Sequence, residues 1–342
     1  MEIRQNTLYL TTPNSYVSRD HLNLKVEIDH VVRLSVPIHH LESVCLFGVI
    51  TITPQAAQLC WEHGVPVNYF SENGYLIGRW EGVPNTSVVL RRTQYRTADD
   101  PQKSALIARQ CVAGKIQNSR QSLLRSARES SDDQERDQLQ LMAGKLADIL
   151  RWLHPSTDLD TIRGYEGQAA SLYFQVFDFH LRQQRTEFHF GGRSRRPPRD
   201  RINCLLSYLY ALLRHDCIAA LTATGLDPFV GYLHAERPNR PSLALDLMEE
   251  FRPQVDRLAI TLVNRKQVNA KDFVIRDGNS VEFSPAGRKS VITAYQTRKQ
   301  EELRHPLLNQ PCRFGELMLI QARILARHLR ADLPEYVPCL FR

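Results

Sequence analysis

The hydrophobic period changes from two to about 3.6 near residue 83, and this break divides the chain. Before it, Leu22, Leu24, Val26 and Ile28 alternate with Asn23, Lys25 and Glu27, and Val32, Leu34, Val36 and Ile38 repeat the alternation. A period of two puts one set of side chains on a core face and the other in water. Residues 44–53 read as a more continuous apolar strand. Thr53-Pro54 then supplies an N-cap and a first-turn proline for a short helix that runs to Trp61 and stops at His63-Gly64. Segments 67–70 and 75–77 flank Asn73-Gly74, a hairpin signal.

GVPNTS at 82–87 reads as a linker. Beyond it the long segments are helical. Asp100-Pro101 caps a helix to residue 129. The polar run SSDDQERD (130–137) interrupts it, and a second helix continues to 152. Further helices are expected at 164–184, 201–224, 242–252, 256–266 and 312–331, with a hairpin about Asp277-Gly278 over 273–283. The fold class is therefore α+β. A small N-terminal β-rich domain (1–82) and a linker (83–87) precede a large, mainly α-helical domain (88–342). A chain of 342 residues buries such cores without disulfides or metals. Its seven cysteines are odd in number and form no CxxC pair, which argues against a disulfide framework or a zinc ribbon. No stretch approaches the roughly 18 apolar residues of a membrane span. MEIRQNTLYLTT has no signal-peptide core. A cytoplasmic protein with reduced thiols is expected.

The densest chemistry lies in LHAERPNRPSLALDLMEEFRP (233–253). With Ser242 as N-cap, Asp246 and Glu249 fall three apart on one helical face, and Glu250 can join them. Adjacent carboxylates repel unless a cation compensates. His234 ends an apolar run, 229–233, that should be buried. A solvated acidic patch beside a hydrogen-bonded core histidine is the alternative. In RGYEGQAASLYFQVF (163–177), Glu166 falls on the stripe of Ala169, Ala170, Tyr173 and Phe177. A carboxylate there is costly unless it is paired or metal-bound. An ion pair with Arg163 or a frayed helix end would also account for it. Between Arg182 and Arg201 seven arginines meet only Glu187 and Asp200, in a segment that Gly191-Gly192 and Pro197-Pro198 keep from being helical. Arginine suits bidentate phosphate contacts, and the net charge of +7 favours a polyanionic partner without identifying one. A merely solvated loop is the alternative.

Several stretches occur together and in order: NTLYLTTPNSYVSRD, VPIHHLESVCLFG, GKIQNSR (114–120), GYEGQAASLYF (164–174), RRPPRDRINCLLSYLYALL (195–213), GYLHAERPNRPSLALDLMEEFRP (231–253) and YVPCLFR (336–342). Together they resemble the CRISPR-associated integrase-nuclease family, the one numbered first among the Cas proteins, with the flavour of its type I-C branch. The resemblance implies a metal-dependent DNA endonuclease and integrase of CRISPR adaptation, which joins 3′-hydroxyl ends of captured duplex fragments to the CRISPR repeat by transesterification. It implies one divalent ion, Mg²⁺ or Mn²⁺, held by Glu166 in YEG, His234 in GYLH and Glu249 in DLMEEFRP. Asp246 and Asn203 are implied as supports of that site. Arg193, Arg195 and Arg196 are expected to contact DNA, with Lys115 and Arg120 as the next candidates. The implied partners are double-stranded DNA, a second copy of the chain joined through the β domain, and the small ferredoxin-like Cas protein numbered second, in a heterohexamer.

Two other functions fit the same residues. One is a structure-selective nuclease for branched repair intermediates, and the other is a non-catalytic DNA scaffold. If Glu249 is the ligand, Asp246→Ala should keep a reduced activity that excess Mn²⁺ partly restores, and Glu250→Ala should behave almost as the wild type.

Overall fold

The computed structural model describes residues 6–72, 76–82 and 87–341. The elements run β1 (Asn6–Leu10), β2 (Tyr16–Asp20), β3 (Asn23–Ile28), β4 (Val31–Pro37), β5 (Leu41–Phe47), β6 (Thr51–Ile52), α1 (Pro54–Glu62), β7 (Val67–Phe70), β8 (Leu76–Trp80), α2 (Val88–Asp99), α3 (Pro101–Glu129), α4 (Asp133–Leu153), α5 (Leu159–Gln175), α6 (Arg201–Ala223), α7 (Ser242–Met248), α8 (Arg252–Asn264), β9 (Phe273–Arg276), β10 (Ser280–Phe283), α9 (Pro285–Gln300), β11 (Glu302–Arg304), β12 (Pro311–Arg313) and α10 (Leu317–Leu329). This is the α+β class expected. Two compact units result, Met1–Asn85 with Ile292–Glu301, and Thr86–Val291 with Glu302–Arg342.

The first unit holds two four-stranded sheets, ordered β1-β5-β7-β8 and β4-β3-β2-β6. In the first sheet β1 and β7 flank β5 in parallel, and β8 closes it antiparallel. The hydroxyl of Thr53 accepts the Ala56 N–H and Pro54 opens α1, as the sequence requires, and α1 ends at His63 with Gly64 at φ +66°. Leu24, Val26, Val44, Leu46, Ala56 and Leu59 are among the core residues. One expectation fails here. Val32 and Leu34 of β4 are 52% and 42% exposed, not core. Strand β4 is an edge strand of its sheet, paired among the described residues with β3 alone. The last turns of α9 belong to this unit, where Gln296 donates to the Thr7 carbonyl. The Asn73-Gly74 turn and most of the 83–87 linker lie outside the described residues.

The second unit is helical apart from two hairpins, β9–β10 and β11–β12. Asp100 caps α3 through the N–H groups of Gln102 and Lys103. Helix α6 is long and apolar enough to span a membrane by length and composition, but most of it is buried within the unit, as suits a core helix. The expected helix at 164–184 ends at Gln175 and passes into a 3-10 turn over Phe177–His180. The expected helix at 312–331 begins only at Leu317, because Pro311–Arg313 pair as a strand. Residues 88–99 and 285–300 form helices that hydrophobic period did not reveal.

His180 gives this unit a pH dependence. Its Nδ1 lies 2.5 Å from Ser126 Oγ, and its buried Nε2 has no hydrogen-bond partner among the described residues. Burial, then Arg182 and Arg257, push the imidazole from 6.5 down to about 3. The unfolded chain therefore binds a proton that the folded chain refuses between those values. The stability is intact above pH 6.5 and falls as pH drops through that window. From pH 7.5 to 5 the wild type should lose roughly 2 kcal/mol more than His180→Gln. Urea unfolding of both at the two pH values reads the difference, and equal losses would refute it.

Candidate active site

The second unit gathers four chain segments around one point. Helix α3 contributes Lys115, α5 contributes Glu166, the loop before α7 contributes His234, and the turn after α7 contributes Glu249. That turn departs from the expected helix 242–252. Pro253 has no N–H and clashes with a preceding helical turn, so it fits only at the start of a helix. Accordingly α7 stops at Met248 and α8 starts at Arg252 with Pro253 in its first turn. Ser242 is not the N-cap: it is the first residue of α7, and its hydroxyl donates to the Ala235 carbonyl.

Asp246 is fully buried and organises the histidine loop. One carboxylate oxygen accepts the N–H groups of Tyr232 (2.6 Å) and Leu233 (3.0 Å). The other accepts the His234 N–H (3.0 Å) and lies 2.7 Å from His234 Nδ1. Gly231 permits this approach, since a Cβ there would stand 2.7 Å from an Asp246 oxygen and 2.7 Å from the Ser242 carbonyl carbon. A carboxylate oxygen that accepts here places a proton on Nδ1 and leaves Nε2 as the ring nitrogen turned toward Glu249. That Nε2 is 3.9 Å from Glu249 Oε1.

Glu166 does not pair with Arg163. Arg163 binds Asp160 and the Leu233 carbonyl, both at 2.8 Å, and so braces the histidine loop. Glu166 instead meets the ammonium of Lys115, which also lies 2.7 Å from Glu249 Oε2. Arg252 donates to the other Glu249 oxygen at 2.8 Å. Burial alone would raise the Glu249 carboxyl. Arg252, Lys115 and His234 outweigh it and hold the group at about 2. Burial likewise opposes the charge on Lys115, but Glu249 and Glu166 raise it above its ordinary value. The ammonium therefore sits as a cation between two carboxylates.

Among the described residues no three His, Cys, Asp or Glu side chains converge into a ready metal shell. The donor chemistry nevertheless fits a divalent ion. Glu249 Oε2 is buried with the Lys115 ammonium 2.7 Å away, Asp246 engages His234 through Nδ1 and not Nε2, and two carboxylates with one imidazole suit Mn²⁺ or Mg²⁺.

The remaining expected residues separate into two groups. Asn203 is buried and touches none of the carboxylates around Lys115. Its Oδ1 accepts from Arg193 (2.6 Å) and the Ser194 N–H (3.0 Å), and its Nδ2 donates to the Gly192 carbonyl and to Asp200. It therefore shapes the arginine loop. Arg193 also reaches Ser207 and lies 5.4 Å over the Tyr210 ring. Arg120 donates to the Ala143 carbonyl, joining α3 to α4. Arg195 and Arg196 are exposed. A cavity of about 150 Å³ is lined by Lys115, Glu166, His234, Glu249, Arg193 and Arg195. Sequence reasoning missed Arg252, Tyr210 and Asp256 in its wall. Only the spacing of Arg252, three residues after Glu249, offered a signal.

Glu250 requires a correction. It does not share the site's face, and its variants should not resemble the wild type. It is fully buried and accepts from the Tyr336 hydroxyl, the Cys339 N–H (2.7 Å) and Gln321 Nε2 (3.1 Å). Burial raises its carboxyl to about 7 despite those bonds.

A family model described as "CRISPR associated protein Cas1" matches residues 8–297. The chain belongs to the Cas1 family. A curated relative from Moorella thermoacetica, named CRISPR-associated endonuclease Cas1 1, is 47% identical over 343 residues and all of both chains. The solved structure of a CAS1 protein from Thermotoga maritima superposes with a TM-score of 0.82 at 24% identity, covering 98% of this chain and 100% of that one, which establishes the shared fold. A Cas6-RT-Cas1–Cas2 complex matches with a TM-score of 0.82 at 25% identity over 99% of this chain and 36% of that one.

Within this Cas1 fold, the arginines of the loop should differ in effect. Arg195→Gln and Arg196→Gln should each lower the log–log salt slope of duplex DNA binding by roughly 0.9 for every phosphate that is no longer neutralised. Arg193→Gln should leave the slope unchanged, because Arg193 is already engaged by Asn203, Ser207 and Tyr210. Fluorescence anisotropy over a range of salt concentrations checks this, and an unchanged slope in all three would make the loop solvated surface.

Proposed function

We propose that this chain is a divalent-metal-dependent DNA endonuclease and integrase of CRISPR adaptation, with Glu166, His234 and Glu249 as its metal ligands. The observation that carries the reading is the juxtaposition of Glu166 and Glu249 about one cation, with His234 Nε2 freed by Asp246 beside them. When bound, Mg²⁺ or Mn²⁺ would supply Lewis-acid activation of a DNA 3′-hydroxyl, or of water, and neutralise charge at the scissile phosphate. The chain's own residues prepare for this. Arg252 keeps Glu249 ionised, Asp246 fixes the histidine tautomer and ring direction, and Lys115 holds the two carboxylates together. Arg195 lines the same cavity and can take phosphate oxygens, while Arg193 is held in the wall by Asn203 and Ser207. The 3′-hydroxyl of a captured duplex fragment would then attack at the edge of a CRISPR repeat, and water in its place gives hydrolysis.

The relative's name as an endonuclease supports the nuclease half of this reading. The neighbouring Cas6-RT-Cas1–Cas2 complex supports Cas2 as a partner, and a heterohexamer with duplex DNA and repeat DNA is the assembly we propose. The uncovered Val31, Val32 and Leu34 of β4 support a homodimer through the β-rich unit, and Leu34→Glu should then yield a monomer by light scattering. The type I-C assignment and a cytoplasmic location are carried by the sequence motifs. The deciding experiment is strand transfer into array plasmid with Cas2 and each metal. Cleavage of branched DNA without joined product would favour a repair nuclease, and full DNA binding with no chemistry would favour a scaffold.

A further inference from the structure

Two stretches that carried the family resemblance have no chemistry assigned to them. GKIQNSR (114–120) supplies Lys115 to the site, with Ile116 and Ser119 in the cavity wall, and YVPCLFR (336–342) has no described residue there. The structure brings both onto the turn that presents Glu249. Glu250, the next residue, turns its side chain into the core. There one oxygen accepts from Tyr336 Oη and the other from the Cys339 N–H and Gln321 Nε2. Gln321 Nε2 also reaches Tyr336 Oη (3.1 Å) and the Val337 carbonyl (3.0 Å). Asn118 completes the enclosure. Its Nδ2 donates to the carbonyls of Glu250 and Cys339, both at 2.8 Å, and its Oδ1 accepts the Phe341 N–H at 2.9 Å. Gly114 makes room, since a Cβ there would stand 2.8 Å from Pro338 Cβ and 3.1 Å from Glu250 Cγ.

Two backbone hydrogen bonds close the turn itself. Glu249 N–H reaches the Asp246 carbonyl at 3.2 Å and Phe251 N–H reaches Met248 at 3.0 Å, with helices leaving on either side. Lys115 and Arg252 hold the Glu249 carboxylate on the site side, and the tail holds the Glu250 side chain and carbonyl on the other. One stretch of α3 faces both ways: Lys115 meets the Glu249 carboxylate, while Gly114 and Asn118 receive residues 336–341. Buried polar groups that share several partners fix one another's positions, even with Gln321 Oε1 left without a partner among the described residues. We propose that residues 336–341, seated by Gly114, Asn118 and Gln321 and gripped by Glu250, form a clamp that sets the position of Glu249. Glu250, Asn118 and Tyr336 are thus positioning residues. The consequence for metal affinity rests on the reading of Glu249 as a ligand, whereas the clamp itself does not.

The test uses the full chain with Glu250→Leu, Glu250→Gln, Asn118→Ala and Tyr336→Phe. Amide hydrogen exchange is followed without metal, and Mn²⁺ affinity is measured by calorimetry, at a temperature where circular dichroism shows every variant folded. Glu250→Leu and Asn118→Ala should speed exchange in 246–252 as well as in 336–341, and weaken Mn²⁺ binding by roughly 10- to 100-fold. Glu250→Gln keeps one oxygen for the two N–H donors and should restore both readouts most of the way. If Glu250→Leu does not fold, Tyr336→Phe decides the matter, because it removes a single hydroxyl and should still speed exchange in the turn. Faster exchange confined to 336–341, with the turn unchanged, would overturn the clamp and leave a tail anchor only. A wild type that binds no Mn²⁺ would sink the metal reading, while the exchange pattern still decides the clamp.

Discussion

Glu166→Ala, His234→Ala and Glu249→Ala should each take DNA cleavage and strand transfer below detection at every Mg²⁺ or Mn²⁺ concentration, while duplex binding persists. A site with three protein ligands has no spare donor, so losing one should nearly abolish chemistry rather than raise the metal requirement. The three variants differ in what they do to the fold. Glu166 is partly exposed, and its loss leaves Lys115 still paired with Glu249, so Glu166→Ala should fold as the wild type does. Glu249→Ala removes the carboxylate bonded to Arg252 and leaves Lys115 with Glu166 alone, and these two buried cations already repel each other. Breaking a buried pair in this way costs about 3–5 kcal/mol. Glu249→Gln should therefore accompany it, keeping the shape while removing the charge. Calorimetric Mn²⁺ titration and plasmid strand transfer read the outcome. Normal Mn²⁺ binding by Glu249→Ala and Glu166→Ala would refute the ligand assignment.

The residues that sequence reasoning selects for chemistry are those whose neighbours in sequence also make them conspicuous. Glu166 stands out as a carboxylate on an apolar stripe, and the acidic run of α7 by its density. What sequence could not supply is direction. Glu249 and Glu250 are adjacent and chemically alike, yet one faces Lys115 and the other a tail almost ninety residues away. The helix break at Pro253 decides that split, and a regular helix drawn through residue 252 conceals it. Lys115 reads as a phosphate contact in the sequence because its partners, on α5 and after α7, are remote along the chain. The N-terminal strands are legible from alternation because backbone pleat alone fixes period two. Helix α2 is not, since Leu90 and Gln94 alone among its residues are buried, and α9 is not because its buried stripe of Val291, Ile292 and Tyr295 is continued by the charged Arg288 and Lys299. The exposed apolar face of β4 looks like core for the same local reason: alternation says that a face is apolar, not that this chain covers it.

Asp246→Ala should lose structure before it loses metal, which reverses the expectation that excess Mn²⁺ would partly rescue it. The side chain is completely buried and satisfies three consecutive backbone N–H groups and the His234 ring. Alanine leaves those donors without acceptors in a space too tight for bulk water, as the close approach of Gly231 shows. Each stranded donor costs roughly 1–3 kcal/mol, so the total is on the order of 5 kcal/mol. For a unit of this size that corresponds to a fall in Tm of roughly 10–20 °C. The loop that carries His234 would open, and Nδ1 would lose the partner that fixes its tautomer. Asp246→Asn should fare only a little better, since its amide must point N–H groups at backbone donors on one side or the other. Activity should therefore be absent in both variants and stay absent as Mn²⁺ rises. Thermal unfolding by circular dichroism, run beside a Mn²⁺ series in the cleavage assay, tests this. A wild-type Tm together with recovery at high Mn²⁺ would show instead that Asp246 is a direct competitor for the ion and that the loop holds its shape without it.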